Sequence, residues 1–94
     1  MVLDNFCNNI FIISLKDRKD RQKSIEENLL LLNLKKDEDY KFWLVDPHPR
    51  GSVYGSYDSH LSIIKYSFDN NYDNVLILED DACLAGYIMK QYQQ

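Results

Sequence analysis

Residues Ile10 to Leu15 read Ile-Phe-Ile-Ile-Ser-Leu, a near-continuous apolar run, and this run constrains the fold more than any other stretch. A strand without alternation is buried on both faces, which is the signature of a central strand in a parallel sheet covered by helices. The rest of the chain supplies such helices. From about Asp20 to Leu34, Ile25, Leu29 and Leu32 follow i, i+4, i+7, with Asp17 or Asp20 as the cap. Tyr40 to Val45 reads as a second strand. Two prolines in Asp46-Pro47-His48-Pro49 then exclude helix and central strand. From Ser56 to about Asn70 the apolar residues Tyr57, Leu61, Ile64 and Phe68 recur at helical spacing, capped by Ser56 or Asp58.

A third strand closes the pattern. Val75 to Leu78 is short, apolar and preceded by the turn-like Asn70-Asn71-Tyr72-Asp73-Asn74. It ends in three consecutive acids, Glu79, Asp80 and Asp81. The residues after Asp81 show one weak helical stretch and no further strand. The order β-α-β-loop-α-β predicts an α/β fold, mainly parallel with helical crossovers, a Rossmann-like half. Ligands of open α/β sheets bind at the carboxyl ends of the strands, where these acids fall. Adjacent carboxylates repel one another unless a cation or a donor-rich ligand offsets them. Hard ions such as Mg²⁺ or Mn²⁺ take oxygen ligands of this kind and bridge to phosphate. The residues themselves thus suggest a metal–diphosphate site.

Length and charge narrow the classes. Ninety-four residues make a single small domain, which buries only about 60–65% of its unfolded surface. A net charge of −4 argues against nucleic acid as the main partner. Positive charge is local, at Lys16, Arg18, Lys19, Arg21 and Lys23, where it can meet an anionic ligand. Cys7 and Cys83 form neither a disulfide framework nor a zinc spacing. With no signal-peptide pattern and no apolar run long enough for a membrane span, the expected compartment is the cytoplasm.

Three segments, in order, resemble glycosyltransferase family 25, which includes lipopolysaccharide and procollagen galactosyltransferases. The first is Ile13-Ser14-Leu15-Lys16-Asp17-Arg18-Lys19-Asp20-Arg21, similar to the family's strand and basic turn. The second is Gly55-Ser56-Tyr57-Asp58-Ser59-His60-Leu61, which matches G-C-x-x-S-H-L with serine in place of cysteine. The third is Leu78-Glu79-Asp80-Asp81. The resemblance covers about residues 9–83 and the amino-terminal half of the family's domain only. It implies a truncated domain of GT-A fold, a UDP-sugar donor and an Mn²⁺ or Mg²⁺ ion. It also implies transfer of a hexose, often galactose, to an acceptor hydroxyl on a glycan or protein. Asp80 and Asp81 become the metal candidates. Arg18, Arg21, Ser59, His60 and Glu79 become the donor-binding candidates.

Plainer readings stand beside these. The acids also suit a solvated turn, and Arg18 and Arg21 a basic turn with helix-face ion pairs. Ser59 and His60 are neighbours on a helix and diverge by about 100°, so they do not make a catalytic pair. No catalytic base is assignable, and His48 reads as a loop residue between prolines. A second function class is an inactive remnant that acts by binding, as a homo-oligomer or with a complementing chain. A third is a metal-dependent phosphotransfer domain using Asp46, the only other acid at a strand end.

Overall fold

The computed structural model describes residues 9–81 and the strand Leu84–Ile88. Cys7 and Cys83 lie outside the described residues. The elements are β1 (Ile10–Leu15), α1 (Lys19–Leu30), β2 (Lys41–Val45), α2 (Ser52–Asp69), β3 (Asn74–Glu79) and β4 (Leu84–Ile88). They form a four-stranded sheet in the order β2-β1-β3-β4. β1 pairs in parallel with both β2 and β3, while β4 runs antiparallel to β3.

β4 corrects the expectation of no strand beyond Asp81. Leu84-Ala85-Gly86-Tyr87-Ile88 has a glycine at its centre and no alternation to announce it. Its strand conformation comes from the ladder that β3 offers, with Leu76 opposite Gly86. Such tertiary pairing overrides weak local propensity.

β1 is central and buried, as its composition requires. Ile10 and Ile12 pack with Ile25 and Leu29 of α1, Leu76 of β3, and Leu34 and Tyr40. Phe11 and Ile13 pack on the opposite face with Ile63 of α2 and with Val75 and Ile77 of β3. The alternation of a strand thus assigns one helix to each face. Phe11, Trp43, Tyr66 and Tyr72 extend the α2 side through edge-to-face contacts with centroids 5.7–6.1 Å apart.

Both helices differ from their sequence outline. α1 ends at Leu30, not Leu34, and Asn33 turns the chain at φ 62°. That turn buries Leu34 in place of Leu32, which is half exposed. Arg18, rather than Asp17 or Asp20, occupies the N-cap position of α1, without a side-chain capping bond. α2 starts at Ser52, four residues before Ser56, because Gly51 at φ 105° makes the turn out of the proline loop.

The buried face of α2 is also displaced. Its buried residues are Ser59, Ile63 and Ser67, whereas Tyr57, Leu61 and Phe68 are exposed. Two serines on the core-facing row hide that row from any apolar periodicity. Ser67 is fully buried, and its Oγ has no hydrogen-bond partner. Ser67→Ala removes an unsatisfied hydroxyl and improves helix propensity. We expect it to stabilise the fold by about 1 kcal/mol, read as a higher urea midpoint at constant m.

Candidate functional site

β1 and β2 end level with one another, and β3 ends two residues short of them. Leu15 stands opposite Val45, and Ile13 opposite Glu79. From β1 the chain crosses by α1 to β2 on one side, then returns by α2 to β3 on the other. The strand order therefore reverses at β1, and a crevice opens outside the carboxyl ends of β1 and β3. This is the place where open α/β sheets receive ligands.

A cleft of about 950 Å³ lies at this edge. Arg21, Ser59, His60, Glu79, Asp80 and Asp81 all line it, so six of the seven residues singled out from sequence meet in one place. Arg18 does not line it. Its guanidinium forks onto Asp20 at 3.1 and 3.0 Å, and these hydrogen bonds hold the Asp20 carboxyl down at about 2.

Adjacent acids at a strand end point to opposite faces of the sheet, and each meets a different helix. Glu79 faces α2, where Ser56 Oγ donates to its Oε1 at 3.1 Å and His60 Nε2 lies 4.0 Å from its Oε2. Asp80 faces α1, where Arg21 Nη1 lies 3.4 Å from its Oδ1. Ser14 Oγ donates to Asp80 Oδ2 at 2.8 Å. Gln22 Nε2 in turn donates to Ser14 Oγ at 3.3 Å and to the Leu15 carbonyl at 2.9 Å. Ser14 and Gln22 are buried, so Asp80 is held by a fixed polar chain rather than by solvent. The Asp80 amide donates to the Ile13 carbonyl at 3.1 Å, fixing the backbone as well.

Ser14, Gln22, Ser56 and His48 are the site residues that sequence reasoning missed. Ser14 carried one signal, as the lone polar residue within an apolar strand. His48 lines the cleft, and its Nδ1 accepts from the Arg50 amide at 3.0 Å. The ring stacks on Tyr54 at 6.1 Å, and the Arg50 guanidinium covers the same Tyr54 ring at 5.2 Å. Gly55 permits this approach, since a Cβ there would stand 3.2 Å from His48 Cβ. Asp46, Pro47 and His48 of the proline loop thereby form a wall of the cleft.

The charge of the cleft is unbalanced. Four carboxylates, those of Asp46, Glu79, Asp80 and Asp81, line it against one arginine. Lys16 offsets Asp46 from outside at 3.3 Å. A diphosphate entering this field is repelled unless a cation accompanies it. Among the described residues, no three His, Cys, Asp or Glu side chains converge as a metal-ligand set. The donor set fits a cation only in shared form, with one or two carboxylates from the chain and the remaining oxygens from ligand and water. Mg²⁺ beside nucleotide phosphates is held in this way.

Comparison with family models, curated proteins and solved structures finds no match to this chain.

Proposed function

We propose that this chain is the donor-binding unit of a family 25-like glycosyltransferase, a Rossmann-like half of a GT-A fold. It binds a UDP-hexose, galactose foremost, for transfer of the hexose to an acceptor hydroxyl. The observation that carries this reading is the meeting of Arg21, His60, Glu79, Asp80 and Asp81 in one cleft where the strand order reverses. The volume is in the range of small-molecule pockets, about 300–1,000 Å³.

Asp80 and Asp81 hold Mn²⁺ or Mg²⁺ in this reading. Bound there, the ion acts as a Lewis acid for the negative charge that develops on the departing diphosphate. Ser14 and Gln22 keep Asp80 in one orientation. Arg21 serves the phosphates, since a guanidinium matches their geometry. Its own side chain is half exposed and its contact with Asp80 is long at 3.4 Å, which leaves the guanidinium room to turn toward a phosphate. Ser59 is buried on the cleft wall and shapes it.

A proton–nitrogen NMR correlation spectrum titrated with UDP and Mg²⁺, then with trace Mn²⁺, tests the reading. The expected result is shifts and Mn²⁺ broadening around Arg21, His60 and Asp81, lost in Asp81→Ala. A well-dispersed spectrum that ignores both UDP and metal overturns it. The alternative, a binding piece without turnover, would then lead. It draws on the exposed Leu30, Leu31 and Leu32 at the end of α1, an apolar group suited to a contact.

A further inference from the structure

Tyr57 is the one Phe, Tyr or Trp among the described residues that lines the cleft. Its side chain is 67% exposed, so the core does not account for it. On α2 it stands four residues after Val53 and three before His60, and all three line the cleft. Residues so spaced share one ridge of a helix. Its chain neighbour Ser56 donates to Glu79, and His60 lies beside the same carboxylate. The Tyr57 ring thus shares a helix ridge with His60, which lies 4.0 Å from the Glu79 carboxylate, and both Tyr57 and Glu79 line the cleft.

This pairing suits a hexose. One face of a hexose ring is lined with C–H bonds and is apolar, while its rim carries hydroxyl donors. Tyrosine supplies a large rigid face at low conformational cost. A carboxylate accepts from two hydroxyls at once. A hexose is also uncharged, so the acidic lining does not repel it as it repels phosphate. Resting on the nucleotide-sugar reading, we infer that Tyr57 and Glu79 form the hexose subsite of the cleft. The sugar's apolar face lies on the Tyr57 ring, and its hydroxyls donate to Glu79. Arg21 and Asp80, on the α1 side, are left for the diphosphate.

The test compares UDP with UDP-galactose, each with Mg²⁺, on the wild type, Tyr57→Phe and Tyr57→Ala. Tyr57→Ala is expected to weaken UDP-galactose about tenfold and leave UDP unchanged, while Tyr57→Phe, which keeps the ring, binds both as the wild type does. The exposure of Tyr57 and the helix propensity of alanine keep the variant folded, and a dispersed NMR spectrum checks this. Equal losses for UDP and UDP-galactose overturn the inference, because the ring then serves the nucleotide. No loss for either ligand overturns it as well. A wild type that binds neither ligand removes the donor-binding reading first, and the two failures are thereby told apart.

Discussion

Replacing Ile63 with alanine is expected to cost about 2–5 kcal/mol, whereas Leu61→Ala costs less than about 0.5 kcal/mol. The residues sit two apart on one helix, and Leu61 belongs to the stripe with the clearest apolar periodicity. Ile63 is 0% exposed and packs with Phe11, Ile13, Val75 and Ile77, while Leu61 is 48% exposed. Truncating Ile63 opens a cavity that a close-packed sheet face fills poorly. A domain of this size has only about 5–10 kcal/mol in total, so the loss is a large share of its stability. Urea unfolding followed by circular dichroism reads the two midpoints directly. Equal shifts for the two variants would mean that α2 lies on the sheet in another rotation. The consequence reaches the cleft, since Ile63 is one turn beyond His60. A loosened α2 withdraws Ser56 and His60 from Glu79.

Asp80→Ala is expected to weaken metal-dependent UDP binding about 100-fold, Arg21→Ala about tenfold, and Arg18→Ala not at all. The two arginines lie in the same basic turn and look equivalent in sequence. In the fold, Arg21 reaches Asp80 while Arg18 is committed to Asp20. The cost of Asp80→Ala to folding is smaller, about 1 kcal/mol. Ser14 Oγ keeps an acceptor in the Leu15 carbonyl at 3.3 Å, and Gln22 keeps its bond to the same carbonyl. Calorimetric titration with UDP and Mg²⁺, beside thermal unfolding, separates the two effects. A loss of binding in Arg18→Ala equal to that in Arg21→Ala would show that the basic turn acts only as diffuse charge.

Three of the four strands of this protein were legible in its sequence, as was the face of α1 at Ile25 and Leu29, and the face of α2 was not. Doubly buried strands announce themselves by unbroken apolar runs, and β1 and β3 fall where Ile10–Leu15 and Val75–Leu78 indicated. The placement of Glu79, Asp80 and Asp81 at a carboxyl edge followed from the same runs. The face of α2 was misread because its core row carries Ser59 and Ser67. Tyr57, Leu61 and Phe68 form the better apolar stripe and remain in solvent. β4 was missed because its strand character comes from the edge of β3 rather than from its own residues.

The sequence by itself determined the order of elements from β1 to β3 and the residues that stand at their strand ends, because periodicity and turn chemistry are local. It also picked out six residues that meet in the cleft. Only the tertiary structure decided how those residues are divided. Strand alternation turns Glu79 toward α2 and Asp80 toward α1. A polar chain through Ser14 and Gln22 fixes one carboxylate and not the other. Such partners are set by which helix covers which face, a long-range packing outcome that no local pattern records.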